Sequence, residues 1–183
     1  MVNYHYKQSF CLIFVILNCI FYMQVVGVAR RKHLIEDLAK TITKGSGKIY
    51  AFQGDLTKEE DIINAFKWTT ENVGPLDYLI NNAGLGRFND TFVDFPTEDF
   101  KTVLDTNVLA VAVASREAIK IMTENNIAGH IVNVSSVAGQ KVPNVPGFHI
   151  YVASKHALTA FSESLRLELV RNGSKIKVTV SVH

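Results

Sequence analysis

Residues 130–155 read HIVNVSSVAGQKVPNVPGFHIYVASK, and they are the most informative part of the sequence about its architecture. It begins with a short apolar run, His130–Val134, whose composition predicts a buried strand. A loop with two prolines follows, and then apolar residues recur at helical spacing from about Tyr151 to Arg171. A strand followed by a helix is the repeating unit of α/β proteins, and the rest of the chain carries the same alternation.

From Gln24 onward, apolar strand-like runs alternate with longer helical stretches. We predict strands over Gln24–Ala29, Lys48–Gln53, Asp77–Asn81, His130–Val134 and Lys175–Val180. We predict helices over Arg30–Lys44, Thr57–Glu71, Thr97–Glu124 and Tyr151–Arg171. Thr57 with Glu60 has the spacing of a capping box, and Thr97 is a candidate cap for the third helix. The pattern predicts an α/β fold, a three-layer, doubly wound parallel sheet that binds ligands at the carboxyl ends of its strands.

The composition excludes several classes of protein. The chain has 183 residues, of which 48% are hydrophobic and 20% charged, and this is the composition of a globular domain. A net charge of +2 is too small for a protein that coats nucleic acid. With two cysteines and no HxxxH or HxH spacing among six histidines, a disulfide scaffold and a histidine-based metal site are both unexpected.

Charged residues follow the first two predicted strands. Arg30 and Arg31 come directly after the first, where arginine side chains suit a phosphate group, although two solvated basic residues at a helix start are also common. Asp55 and Leu56 follow the second strand. A carboxylate beside a leucine could hold the edge of an adenine, and a turn aspartate is an equally natural interpretation.

Amide side chains mark the third strand and the helix after it. Asn81-Asn82-Ala83-Gly84 ends the strand with small residues that let a flat ligand approach the backbone, while the asparagines offer hydrogen bonds to neighbouring strands and to a ribose. Asn107 lies among apolar residues in a predicted helix. A buried amide there needs partners, because leaving it unpaired costs about 1–3 kcal/mol.

Ser135 and Ser136 end the fourth strand, and Tyr151 and Lys155 follow on the next helix. Tyrosine and lysine four residues apart share one helix face. A nearby ammonium lowers the pKa of a phenol, which can then take a proton from an alcohol or return one to a carbonyl. A serine hydroxyl aimed at the same oxygen polarises it. A surface Tyr–Lys pair is the alternative, but none of the other five tyrosines has lysine at this spacing.

These motifs together resemble those of the short-chain dehydrogenase/reductases. The resemblance covers about Gln24–Val180 and rests on Asn81–Gly84, Thr106-Asn107-Val108, Ile131–Ser136 and Tyr151–Lys155. It implies a Rossmann-type fold. Arg30 and the spacing between Ser136 and Tyr151 are similar to a branch that prefers NADP(H) and lipophilic alcohols or ketones such as steroids and isoprenoids.

The resemblance assigns a role to each candidate residue. Tyr151 would be the catalytic acid/base, Lys155 its partner and a ligand of the nicotinamide ribose, Ser136 the group that stabilises the substrate oxygen, and Asn107 the holder of a relay water. Cofactor-binding roles would fall on Arg30 and Arg31 for the 2′-phosphate of NADP, on Asp55 and Leu56 for adenine, and on Asn82, Ala83 and Gly84 for the ribose. The cofactor is therefore expected to be NADP, the substrate a small lipophilic alcohol or ketone, and the place of action the cytoplasm.

The sequence departs from the family pattern at both ends. The family begins with a strand and a glycine-rich turn that holds the pyrophosphate, whereas Gly27 is the first glycine here. The family also continues beyond the strand that ends near Val180. We therefore expect an incomplete sheet in which Gln24–Ala29 lacks one neighbour, and a catalytically inactive fragment unable to bind the dinucleotide is the alternative function.

The first 23 residues form an apolar segment that precedes the partial domain predicted over 24–183. Residues 10–28 are long enough to span a bilayer, so membrane association is one hypothesis. A cleaved signal peptide, a buried core helix and translated non-coding sequence are the others. Relatives commonly pair through two long helices, here 98–124 and 151–171, which makes a homo-oligomer a further expectation.

Overall fold

A computed structural model of the protein describes residues 23–42, 47–88 and 91–182. The chain divides into two compact units, Met1–Gly54 and Asp55–His183. The described strands form two parallel sheets, one in each unit.

The described part of the first unit is a strand–helix–strand unit. It comprises β1 (Gln24–Ala29), α1 (Lys32–Thr41) and β2 (Lys48–Gln53). The two strands pair in parallel, with Gln24 opposite Lys48 and Ala29 opposite Gln53. Gly27 lets α1 pack closely on the sheet, because a Cβ at this position would lie 3.0 Å from Cγ2 of Ile35. Within the described residues β1 pairs only with β2, and the absence of a second neighbour stays a prediction.

The second unit contains the rest of the regular structure. Its elements are α2 (Glu59–Asn72), β3 (Tyr78–Asn81), α3 (Thr97–Leu104), a π-turn (Asp105–Leu109), α4 (Ala110–Glu124), β4 (His130–Val134), a 3₁₀ turn (Val137–Gly139), α5 (His149–Arg171) and β5 (Lys177–Ser181). The strands run parallel in the order β3-β4-β5. The 3₁₀ turn and α5 therefore both follow the carboxyl end of β4.

Two apolar clusters hold the second unit together. One joins α4, β4, α5 and the residue before β5 through Ala118, Met122, Ile131, Leu169 and Ile176. The other joins α2 to α4 through Ile62, Ala110, Val113 and Ala114. Burying side chains of this size contributes roughly 1.5–3 kcal/mol for each large apolar residue, so these clusters fix the helices against the sheet.

The strand predictions were more accurate than the predicted helix ends. The bounds of β1, β2 and β4 are confirmed. The capping box is wrong, because the Thr57 hydroxyl donates to Asp55 Oδ1 at 2.8 Å and α2 begins at Glu59. The Thr97 cap is also wrong, because Thr97 is already the first residue of α3 and Pro96 holds the cap position.

The long helix predicted over Thr97–Glu124 is interrupted by a π-turn. At Asp105–Leu109 the backbone N–H of Ala110 bonds to the carbonyl of Asp105, five residues earlier. A π-turn adds one residue to a helical turn and is frequent at functional sites. Nothing in the apolar periodicity predicted it, and it contains Asn107.

The described elements form a Rossmann-type α/β arrangement, as predicted. The apolar segment up to Tyr22 lies outside the described residues, so its interpretations stay predictions, as does the domain boundary before Gln24. Gln24–Val28, the end of the hypothetical span, belongs to β1. Among the described residues, no helix is long and apolar enough to cross a bilayer. Pairing through the two long helices also stays a prediction.

Candidate active site

Tyr151 and Lys155 lie on one face of the first turns of α5. Lys155 Nζ is 5.9 Å from the centroid of the Tyr151 ring, so the ammonium and the phenol are neighbours, as the spacing predicted. Tyr151 is partly exposed, whereas Lys155 is only 5% exposed. The arrangement presents a phenol to ligands and keeps the lysine beneath it.

The buried ammonium of Lys155 has one hydrogen-bond acceptor within the described residues. Its Nζ donates to the carbonyl of Val134, the last residue of β4, at 2.9 Å. Burial lowers the pKa of Lys155 below its usual 10.5, because the charged form loses hydration. An ammonium has three hydrogens, so two donors remain for a ligand with hydroxyl groups.

The two serines after β4 have different surroundings. Ser135 is buried, and its Oγ lies 3.4 Å from the carbonyl oxygen of Lys155. Ser136 is partly exposed, and its Oγ accepts from the N–H of Ala138 at 3.2 Å, so it caps the 3₁₀ turn. The hydroxyl hydrogen of Ser136 is therefore left for another acceptor, which favours Ser136 over Ser135 as the serine that meets a substrate.

A close contact fixes the 3₁₀ turn against α5. A Cβ at Gly139 would lie 2.6 Å from the Lys155 carbonyl oxygen and 2.6 Å from Ser135 Oγ. Thr159 Oγ1 lies 3.2 Å from the Gly139 carbonyl oxygen and 3.1 Å from that of Lys155. Gly139 and Thr159 thus hold the segment that carries Ser136 onto the helix that carries Tyr151 and Lys155.

Asn107 joins three parts of the site. Its Nδ2 donates to the Leu85 carbonyl and to Ser154 Oγ, both at 2.9 Å, and its Oδ1 accepts from the Leu85 N–H at 2.9 Å. The side chain is 1% exposed, and the predicted need for partners is met. Both amide hydrogens are used, so a water held by this side chain would have to donate to Oδ1.

The segment after β3 leaves room for a ligand beside Lys155. A Cβ at Gly84 would lie 3.3 Å from Lys155 Nζ and 3.5 Å from Asn107 Oδ1, so a side chain here would crowd both groups. Asn82 and Ala83, which precede it, are partly exposed. A small residue beside an ammonium with two unused donors fits a nucleotide ribose, since hydroxyls can accept from the ammonium at close approach.

Asp55 and Leu56 have structural roles in the second unit. Asp55 Oδ1 accepts from the N–H and the hydroxyl of Thr57, at 3.1 and 2.8 Å, which is the turn interpretation of this aspartate. Leu56 packs against the cluster of Ile62, Ala110, Val113 and Ala114. Their contact with adenine stays a prediction.

Arg30 and Arg31 lie in the first unit, at the carboxyl end of β1. Both are exposed, and no ion pair within the described ranges involves them. Arg31 caps α1, whose first turn has no acidic residue. A helix N-terminus favours negative charge, so cations placed there without a carboxylate suit a bound phosphate.

A buried polar network, not predicted from the sequence, connects β3, β4 and α5. Asn81 Nδ2 donates to Asn133 Oδ1 at 2.8 Å, as expected of an asparagine that bonds to a neighbouring strand. Asn133 Nδ2 donates to Ser162 Oγ at 2.8 Å, and the Ser162 hydroxyl donates to the Leu158 carbonyl at 2.7 Å. Polar residues inside the apolar runs of β4 and α5 were the available signal. The network ties β3 and β4 to α5.

The sequence is similar to dehydrogenases and reductases. A profile described as short chain dehydrogenase matches residues 22–182. Farnesol dehydrogenase of Aedes aegypti is 42% identical over 158 residues, which cover 86% of this chain and 64% of that protein. Dehydrogenase/reductase SDR family member 11 of Mus musculus is 38% identical over 160 residues, covering 86% and 61%. The chain thus spans less than two thirds of the length of these relatives.

Solved structures agree with this assignment. The closed form of serine dehydrogenase complexed with NADP⁺ superposes with a TM-score of 0.80 at 26% identity, over 96% of this chain and 66% of that one. Structures of this fold have been solved with NADP and with NAD. The family profile matches most of this chain, and Ser136, Tyr151 and Lys155 lie together after the carboxyl end of β4. The chain therefore belongs to the short-chain dehydrogenases, a family of oxidoreductases.

Proposed function

We propose that this protein is an NADP(H)-dependent oxidoreductase that interconverts a lipophilic alcohol and its carbonyl compound. The observation that carries the proposal is the position of Lys155 Nζ, buried and 5.9 Å from the Tyr151 ring. The name of the Aedes aegypti relative, farnesol dehydrogenase, supports a lipophilic alcohol as substrate. The arginines after β1 support NADP rather than NAD, because a guanidinium pairs well with the additional phosphate.

Each residue of the site has a defined task in this proposal. When bound, the nicotinamide supplies or accepts the hydride. Tyr151 moves the proton at the substrate oxygen, and the Lys155 ammonium lies next to its ring. Ser136 donates a hydrogen bond to the same oxygen and stabilises the charge that develops there.

The remaining residues bind the cofactor or connect the site to water. Lys155 donates to the hydroxyls of the nicotinamide ribose, and the backbone of Asn82, Ala83 and Gly84 lines a ribose. Arg30 and Arg31 bind the 2′-phosphate, and Asp55 and Leu56 border the adenine. Asn107 holds the water through which Lys155 exchanges protons with solvent.

Two measurements on the full chain test the proposal. Titration with NADPH, followed by its fluorescence, should show saturable binding, and farnesol with NADP should give NADPH. The Tyr151→Phe variant should lose this turnover and keep cofactor binding. Retained turnover would refute the tyrosine assignment. Absence of any fluorescence change at millimolar NADPH would instead favour the alternative, a fragment that is catalytically inactive.

A further inference from the structure

Two phenylalanine rings lie next to Tyr151. The rings of Phe88 and Phe148 are stacked, with centroids 4.6 Å apart and an interplanar angle of 25°. Each of them makes an edge-to-face contact with the Tyr151 ring, at centroid distances of 6.2 Å for Phe88 and 5.8 Å for Phe148. We call Phe88 and Phe148 the aromatic pair.

The chain is built to hold the aromatic pair in this place. Gly86 allows the Phe88 ring to fold back on its own loop, because a Cβ at Gly86 would overlap that ring. Phe148 is the cap residue of α5, three positions before Tyr151. The next residue, His149, lies edge-on between Phe92 and Phe95, with centroids 5.1 and 5.2 Å away, and this fixes the turn that carries Phe148.

The aromatic pair keeps an accessible apolar surface. Phe88 is 49% exposed although it stacks on a second ring, and Phe148 is partly exposed. A large apolar side chain beside a reactive phenol gains from being covered by an apolar ligand, since burying it removes nonpolar surface from water. Aromatic rings further favour planar partners that stack on them or meet their edges.

We propose that the aromatic pair is a specificity-determining surface, and that it selects alcohols and ketones whose reacting carbon bears a planar, unsaturated group. The inference rests on the proposed function, because it takes Tyr151 as the group that meets the substrate oxygen. The aromatic pair lies next to Tyr151. A planar group that covers Phe88 and Phe148 therefore brings the reacting carbon, with its oxygen, within reach of the phenol. A short saturated group covers less of the pair and gains less from it.

A pair of methyl ketones tests the selection. Acetophenone carries a planar ring, and 2-butanone carries an ethyl group in its place. With NADPH, the ratio of kcat/KM for acetophenone to that for 2-butanone should fall about three- to tenfold in Phe88→Ala and in Phe148→Ala. Val93→Ala, which alters an exposed residue outside the ring contacts, should leave the ratio unchanged. An unchanged ratio in both phenylalanine variants would overturn the proposal.

Direct binding separates this inference from the proposed function. Saturation-transfer-difference NMR should show stronger transfer to acetophenone in the wild-type chain than in Phe88→Ala, and equal transfer in wild type and Tyr151→Phe. If farnesol and both ketones fail to turn over but this difference persists, the catalytic proposal fails and the proposed binding role of the aromatic pair is retained. Equal transfer in wild type and Phe88→Ala refutes the proposed role of the aromatic pair in binding the ligand. If Phe88→Ala shows no cooperative unfolding transition and is therefore not folded, Phe88→Leu, which keeps an apolar side chain without a ring, replaces it in the comparison.

Discussion

The side-chain amide of Asn107 pairs with the backbone of Leu85 through two hydrogen bonds of 2.9 Å, accepting from its N–H and donating to its carbonyl. This is the pairing that a neighbouring strand would make with Leu85. The π-turn carries Asn107, and the pairing therefore fastens this irregular part of the helix to the segment after β3. A third bond, to Ser154, adds the helix of Tyr151 and Lys155.

We expect Asn107→Leu to destabilise the protein. Leucine has the same branched arrangement of heavy atoms but leaves the Leu85 N–H and carbonyl without their partner, which should lower the free energy of unfolding by about 1–3 kcal/mol. Urea denaturation followed by circular dichroism measures the change. Asn125→Leu is the control, because Asn125 is exposed and, among the described residues, its side chain bonds only to the Ile121 carbonyl near a helix end. Equal effects of the two substitutions would contradict the role given to Asn107.

The buried lysine should make the stability depend on pH. Burial lowers the pKa of Lys155 in the folded chain, while the unfolded chain keeps it near 10.5. Between the pKa of Lys155 in the folded chain and its pKa in the unfolded chain, the unfolded state binds more protons. The free energy of unfolding therefore rises with pH over this range. At lower pH the lysine is charged in both states, and the full cost of burying its charge is present. Lys155→Met removes this contribution.

The measurement compares the two proteins by urea denaturation from about pH 8 to 10.5. The wild type should gain stability relative to Lys155→Met as the pH rises. Lys175→Met, which removes an exposed ammonium, should run parallel to the wild type. A constant difference between wild type and Lys155→Met across this range would show that the lysine is not perturbed.

Ser162 should contribute more to stability than its neighbour Ser164. Ser162→Ala removes the acceptor of Asn133 Nδ2 inside the protein, and an unpaired buried donor costs about 1–3 kcal/mol. Ser164→Ala alters an exposed serine on the same helix and should change the stability by less than about 0.5 kcal/mol. Thermal unfolding of the two variants checks the difference, and similar transition temperatures would argue against a structural role for the network.

Arg30→Ala should weaken NADPH binding more than NADH binding. Loss of a charge-assisted bond to the 2′-phosphate corresponds to about a tenfold rise in the Kd of NADPH, while NADH has no such phosphate. Fluorescence titration with both nucleotides measures the ratio, and Arg171→Ala, which alters an exposed arginine at the end of α5, is the control. A parallel loss of affinity for both nucleotides would mean that Arg30 does not read the phosphate.

Much of the fold follows from local patterns in the sequence. Short apolar runs bounded by polar or loop residues predicted the strand state and the bounds of β1, β2 and β4. Helix starts were less predictable. Thr57 has the right type and spacing for a capping box, but its hydroxyl finds a closer acceptor in Asp55.

The site was predictable where chemistry depends on spacing along one helix, and not where it depends on contacts between elements. The positions of Tyr151 and Lys155 follow from the i, i+4 relationship. The bond from Lys155 to the Val134 carbonyl and the contact of Gly139 with α5 arise from tertiary packing. The π-turn likewise depends on bonds to Leu85 and Ser154, which lie 22 and 47 residues away from Asn107.

The extra residue in the π-turn sets the rotation of everything that follows it in the helix. Successive residues of an α-helix are about 100° apart, so one additional residue turns Ala110–Glu124 by that angle relative to an uninterrupted helix from Thr97. The apolar stripe of α4 meets its neighbours only in this offset orientation. Deletion of one residue within 105–109 would either turn Asn107 away from Leu85 or rotate that stripe out of the core, so the length of this segment couples the site to the packing of α4.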